Sequence, residues 1–291
     1  MSIARFRAFL AVARHGSFSA GARALGLAQP TITTQIQALE RQHDVELFHR
    51  RGRGAQLTQV GLSLLPVAQQ IGALELDAFN LLHDAGKLNT GVLRIGAVGP
   101  FHVIEMVEAY HRHYPGVSIS IRIGNSAEVL ADLENYATDI AVLAGVHDTP
   151  GFSAEHYASH AVILFAPVSH PLAACDTVPL SALHDAPLLV REAGSTTRAA
   201  LEEVLANAQV KPRVVMEIGS REALREAVAR GLGLGAVSEA EFIPDRRFRP
   251  VRIEGDPVHT HTFIYCLAER RASRLLSSFI TRAIAVRDAQ Q

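Results

Sequence analysis

The chain has 291 residues, 48% of them hydrophobic and 20% charged, with 21 Gly and 13 Pro. That is globular composition, long enough for two domains, and it excludes collagen-like, disordered and disulfide-scaffold classes. The net charge of −1 is uneven: residues 1–58 hold eight arginines against Glu40, Asp44 and Glu46, a balance of +5 that leaves −6 for the remainder. A basic head on an acidic body suits a polyanion partner, because clustered cations bind phosphates by displacing condensed counterions.

In chain order, Phe6, Phe9, Leu10, Val12 and Ala13 recur at helical spacing before Gly16, which predicts an amphipathic first helix. Ser17 or Ser19 can cap a second helix running to about Leu25. Gly26 supplies the turn, and a third helix begins near Gln29 and Pro30 and continues to about Arg41. Ala22, Gly26 and Ile32 meet the needs of a helix-turn-helix corner: a small residue at the helix contact, a left-handed turn residue and a branched apolar plug. Thr31, Thr33, Thr34 and Gln35 then face away from Ile32, Ile36 and Leu39, where short hydroxyls and an amide can reach base edges or phosphates. The segment VELFHRRGRGAQLT reads as two short strands around Arg50, Arg51 and Arg53, a wing that sets cations beside a duplex. The expected DNA-contacting set is therefore Ser17, Ser19, Gln29, Pro30, Thr31, Thr33, Thr34, Gln35, Arg50, Arg51 and Arg53, on double-stranded DNA.

From Thr58 to about Asn89 a long helical pattern places Leu64, Val67, Ile71, Leu74, Ala78, Leu81 and Ala85 at alternating intervals of three and four, the seam of a two-helix coiled coil. Dimerised heads are expected, with a bend where Pro66 removes a backbone hydrogen bond.

The run GSFSAGARALGLAQPTITTQIQALERQHDVELFHRRGRGAQLTQVG resembles the N-terminal signature of LysR-type transcriptional regulators. Asp44 stands where that family usually has Gly, Gly21 where it usually has Ala, and Thr34 where longer side chains are frequent. Gly21 is expected to cost its helix about 0.5–1 kcal/mol. The resemblance implies a homodimer or homotetramer, contact with RNA polymerase, and a body of two Rossmann-like lobes joined by two crossing strands, with a small inducer in the cleft.

After Gly91 the pattern turns to alternating strands and helices, which is α/β architecture. The expected layout is a winged helix-turn-helix head over 1–58, a dimerisation helix over 59–90 and an effector-binding body over 91–291. Within the body, the first lobe covers about 91–164 plus 267–291 and the second about 165–266, with crossings near Ile163–Pro167 and Tyr265–Ala268. Such sheets gather helix N-termini at the carboxyl ends of their strands, where free N–H groups attract anions. Gly99, Pro100, Phe101, His102, Asn125, Ser126, Ser195, Thr196, Thr197, Arg198 and Ser220 are the candidate effector contacts, and Glu239 or Glu241 could receive a ligand ammonium. Three hydroxyls followed by Arg198 exceed what one helix cap needs and point to a small anion. The runs IGNSAEVL, GSTTRAALEE and IGSREALREAVARGLGLGAVSEAEF resemble LysR-type regulators associated with aminoethylphosphonate catabolism, which implies 2-aminoethylphosphonate or a near relative as inducer.

Cys175 and Cys266 form no metal or disulfide pattern. His111 with His113 and His259 with His261 have suggestive spacing, but no Cys or carboxylate cluster joins them, so no metal or cofactor is expected. The chain lacks a GxSxG elbow, a P-loop and a strand-opening GxGxxG, so no enzyme is indicated. No apolar run approaches the roughly 20 residues that span a bilayer and the N-terminus has no secretory core, so a cytoplasmic protein without membrane contact is expected. The competing reading is a two-lobed solute-binding protein without DNA function.

Overall fold

The computed structural model describes residues 2–49, 54–83, 91–145 and 150–290. The chain divides into two compact units, Met1–Thr90 with Glu134–Ala137, and Gly91–Leu133 with Thr138–Gln291.

The first unit opens with helices α1 (Ile3–His15), α2 (Phe18–Ala24) and α3 (Gln29–His43). α1 buries Phe6, Ala8, Phe9, Ala11 and Val12, and Gly16 ends it in a left-handed conformation with its N–H on the Val12 carbonyl. Ser17 caps α2, its hydroxyl accepting from Ala20 N at 3.1 Å. The corner is as spaced in the sequence: Ala22 and Ile32 are buried and Gly26 has φ +65°. Asp44 closes α3 at φ 51°, ψ 48°, the conformation for which glycine would be the usual choice. Gly21 also meets a packing need, since a Cβ there would lie 2.9 Å from Val12 N and 3.0 Å from the Ala11 carbonyl carbon. Only a bare α-carbon lets α1 and α2 approach this closely. An antiparallel bridge joins Phe48 to Leu57, and His49 N donates to Gln56 O at 2.8 Å. Arg50, Arg51 and Arg53 lie outside the described residues.

Helix α4 (Gln59–His83) runs unbroken through Pro66. The expected seam divides. Leu64 and Ile71 pack on the head core built from Phe6, Phe9, Ile32, Ile36 and Leu47, whereas Val67 and Leu74 are each 50% exposed and Ala78 is exposed. Ala85 and the side chain of Leu81 lie outside the described residues. The helix is drawn to the head by an ion pair in which Arg7 Nε and Nη2 donate to Glu75 at 2.7 and 2.6 Å. The single seven-residue seam is therefore corrected: Leu64 and Ile71 serve the helix's own head, and Val60, 47% exposed, extends the outward row Val60, Val67, Leu74 at heptad spacing.

In the body, strands β1 (Gly91–Ala97), β2 (Val117–Ile123) and β3 (Ile140–Ala144) alternate with α5 (Pro100–His113) and α6 (Ser126–Glu134). The long β4 (Phe152–Pro167) leads to β5 (Thr177–Val178), β6 (Pro187–Arg191), α7 (Thr196–Asn207), β7 (Arg213–Ile218), α8 (Arg221–Ala229), β8 (Gly235–Ser238), β9 (Phe248–Ile253), β10 (His259–Leu267) and α9 (Arg274–Gln290). Strand order is β2-β1-β3-β10-β4-β9-β5, with β8 also on β4, and β6 paired with β7. β1 is parallel to β2 and β3, as β6 is to β7. The crossings fall earlier than expected. β4 pairs with β10 from Phe152 to Ala161, then with β8 from Val162 and β9 from Leu164, and β10 already pairs with β3 from Thr262 to Tyr265. The first half of β4 was illegible because its residues, Glu155, His156 and Ser159 among them, alternate without a strong apolar face. At the base of the first lobe the buried Asp139 accepts from Arg94 at 2.8 and 3.0 Å and from Arg270 at 2.6 Å. Burial opposes ionisation of that carboxyl, but the two guanidiniums prevail and hold it below the ordinary range.

Candidate effector cavity and DNA-facing helix

A cavity of about 480 Å³ opens at the carboxyl ends of β1, β2, β6 and β7, where α5, α6, α7 and α8 begin. Pro100 and Phe101, Asn125 and Ser126, Ser195, Thr196 and Thr197, and Ser220 all line it. Four helix dipoles thus present their positive ends to one space, a field that favours an anion.

The capping role of these residues separates them. Asn125 Oδ1 accepts from Glu128 N at 2.9 Å while Glu128 accepts from Asn125 N at 3.1 Å, a reciprocal box. Ser195 Oγ accepts from Arg198 N at 3.4 Å, and Ser220 Oγ accepts from Ala223 N at 3.2 Å while donating to Glu222 at 2.7 Å. The Ser220 hydroxyl holds the Glu222 carboxyl below its usual range. Among the described residues, no hydrogen bond uses the hydroxyls of Thr196 and Thr197. These two side chains remain available to a ligand.

Four expected contacts, Gly99, His102, Arg198 and Glu239, lie elsewhere. Arg198 does not line the cavity: its Nη1 donates to Arg191 O at 2.6 Å and Glu217 at 2.8 Å, and its Nε to Glu202 at 2.7 Å. One helical turn carries it to the acidic flank of α7. Glu239 pairs with Arg252 and is also absent from the lining, whereas Glu241, two residues on, lines it and binds Arg221. The short 3₁₀ turn Glu239–Glu241 sends the two carboxylates to different sides. Gly99 and His102 border a neighbouring pocket of about 30 Å³ together with Thr196, Thr197, Ser238 and Thr260. There the His102 ring stacks on His160 at 5.1 Å between centroids. Burial, then the nearby His160, bring the His102 pKa down to about 4, so the imidazole is neutral.

Arg191, Arg221 and Arg225 line the cavity as well, and of these sequence reading missed Arg191 and Arg225. Arg191 donates bidentately to Glu192 at 2.8 Å and Arg221 to Glu241 at 3.0 Å. Arg225 has no hydrogen-bond partner on its buried Nε, and its guanidinium lies 5.9 Å from the Phe248 ring centroid. The available signal was the four-residue interval between Arg221 and Arg225, which puts both on one helix face.

On α3, Gln29, Pro30, Thr31 and Thr34 are exposed, whereas Thr33 and Gln35 are half-buried. Thr33 Oγ1 donates to Gln29 O at 3.0 Å, and Ser19 Oγ to Gln29 Oε1 at 2.7 Å. The outward face is thus centred on Thr31 and Thr34. Among the described residues no group of three His, Cys, Asp or Glu could hold a metal ion, and no helix is long and apolar enough to cross a membrane.

The LysR substrate binding domain matches residues 86–287, and the bacterial regulatory helix-turn-helix protein of the lysR family matches residues 3–62. The chain is 31% identical over 281 residues to the HTH-type transcriptional activator CmpR of Synechocystis, covering 95% of this chain and 92% of CmpR. It is 34% identical over 245 residues to the HTH-type transcriptional regulator CbbR of Sinorhizobium medicae, 82% of this chain and 77% of that one. In fold it resembles full-length OxyR of Pseudomonas aeruginosa, with a TM-score of 0.81 at 20% identity over 99% and 97% of the two chains. It also resembles the CcmR regulatory domain of Synechocystis in complex with 2-PG, with a TM-score of 0.63 at 23% identity over 68% and 98%. These relatives are transcriptional regulators, not enzymes. The chain belongs to the LysR family of transcriptional regulators.

Proposed function

We propose that this LysR-type regulator binds double-stranded DNA as a dimer of heads, within a homo-oligomer in the cytoplasm where the chromosome lies, and answers to a small anion held in the body cavity. One observation carries the choice of anion: four helix N-termini and the uncommitted Thr196 and Thr197 hydroxyls face a single cavity. A ligand that binds one arrangement of the lobes more tightly shifts the population of that arrangement, and with it the spacing of the heads and their contact with the promoter and RNA polymerase. A solute-binding role without DNA has no use for the basic head.

Within the class of small anions, the runs around Asn125, Ser195 and Ser220 favour 2-aminoethylphosphonate, while CmpR and CbbR, and CcmR with its 2-PG, lead away from that subgroup. Calorimetry on the full chain compares 2-aminoethylphosphonate, 2-PG and inorganic phosphate. At least one is expected to bind saturably and to weaken about tenfold in Thr196→Ala, the loss of one charge-assisted hydrogen bond. Failure of all three to bind the folded protein would overturn the reading.

A further inference from the structure

A side-chain hydrogen bond that no helix cap requires ties the second helix of the head to the third. Ser17 already caps α2. Ser19, two residues on, turns its hydroxyl across the corner and donates to Oε1 of Gln29, the first residue of α3, at 2.7 Å. Gln29 is anchored through its backbone as well, its carbonyl accepting from Thr33 Oγ1 at 3.0 Å. Both Ser19 and Gln29 are exposed, and no acidic side chain lies in the first turn of α3 to repel a duplex. Among the described residues, Gln29 Nε2 has no hydrogen-bond partner.

A glutamine amide carries one acceptor and one donor group, and where both are free it pairs in two bonds with adenine, accepting from N6 and donating to N7. With Oε1 taken by Ser19, the amide turns only donors outward. Every base pair displays in the major groove one keto oxygen, guanine O6 or thymine O4, and one exocyclic amine, cytosine N4 or adenine N6. A donor-only group can bond the oxygen and has nothing to offer the amine. In bulk water so exposed a bond contributes little, but a helix entering the groove displaces water, which strengthens the bond and makes a mispaired donor costly.

We propose that Ser19 is a positioning residue that fixes the polarity of the Gln29 amide, so that Gln29 reads the keto oxygen of its base pair and not the exocyclic amine. This role deepens the DNA-binding reading of the head and rests on it.

Selection by the full chain from a pool of random-sequence duplexes defines the preferred site, and the base pair whose preference Gln29→Ala flattens is the one Gln29 reads. At that pair, competition retardation compares duplexes lacking only the keto oxygen (2-aminopurine for guanine, 5-methyl-2-pyrimidinone for thymine) with duplexes lacking only the amine (purine for adenine, 2-pyrimidinone for cytosine). For wild type, loss of the oxygen is expected to weaken binding about tenfold and loss of the amine less than about twofold. In Ser19→Ala the amide is free to turn, and the contrast between the two losses should fall below about threefold. Ser19→Thr, which keeps the hydroxyl, should restore the contrast, and neither loss should matter in Gln29→Ala. Ser19 is exposed, so these changes leave the head core intact, and unfolding temperature checks that each variant is folded. A merely structural Ser19 would weaken every duplex by the same factor and preserve the contrast. Wild-type sensitivity to loss of the amine, an unchanged contrast in Ser19→Ala, or no base pair flattened in Gln29→Ala overturns the positioning role while DNA binding stands. Absence of any selected site overturns both.

Discussion

Arg221 Nη1, at the start of α8 in the second lobe, donates to the carbonyl oxygen of Val98 at the end of β1 in the first, at 2.6 Å. The same guanidinium binds Glu241 through Nε at 3.0 Å, and a Cβ on Gly99 would lie 2.7 Å from that carboxylate. The lobes are therefore joined at the cavity mouth by a charge-assisted bond to backbone, beside the bare α-carbon that lets the pair sit there.

Arg221→Met removes this tie and leaves the largely buried Glu241 carboxylate without its cation. The ligand-free body is expected to open, read as a larger radius of gyration by X-ray scattering, and to lose about 1–3 kcal/mol of stability by chemical denaturation. An unchanged radius would show that the crossing strands alone hold the lobes.

His102 makes stability depend on pH. Its pKa is lowered from 6.5 to about 4, and the groups around it are His160, Tyr157 with its partner Glu105, and the Arg221–Glu241 pair across the small pocket. Between these values the unfolded chain takes up a proton that the folded chain refuses, so stability falls as pH falls from about 6.5 towards 4. The contribution is at most about 3 kcal/mol. His102→Asn should flatten the slope of unfolding free energy against pH in that window, leaving the smaller share of His160, whose pKa burial also lowers.

Leu74→Glu and Ile71→Glu separate the two faces of α4. Leu74 is exposed in the single chain and Ile71 packs on the head core. Leu74→Glu should lower the molecular mass by sedimentation while the head remains folded, because the proposed dimer would bury that charge without a partner. Ile71→Glu should destabilise the head by roughly 2–5 kcal/mol in thermal or urea unfolding.

For DNA, the exposed Thr34 should matter more than Thr33, whose hydroxyl is bonded to Gln29 O. In competition retardation, Thr34→Ala should reduce operator preference over random DNA by about tenfold, whereas Thr33→Val should change it little. Arg53→Ala should weaken both DNAs alike and reduce the salt slope by about one phosphate's share.

The sequence by itself determined most of the element types, the helix-turn-helix corner and the class of the body, because each rests on local physics. Gly16 and Gly26 end helices where only a left-handed residue fits, Ser17 and Ser195 cap where hydroxyls are wanted, and runs such as VSISIRI or DIAVLAG are too apolar or too regular to be anything but strands. It also placed Asn125, Ser126, Ser195, Thr196, Thr197 and Ser220 correctly at helix starts, since caps are short-range features. What only the tertiary structure decided depends on partners distant in the chain. The need for Gly21 comes from Val12 on another helix, and the division of the α4 seam from the head core it meets. Arg198 and Arg225 look alike in sequence, yet one is bound by Glu202 and Glu217 while the Nε of the other has no hydrogen-bond partner, its guanidinium 5.9 Å from the Phe248 ring of β9. Whether a charge is neutralised is a property of what surrounds it in space, and local spacing carries no record of that.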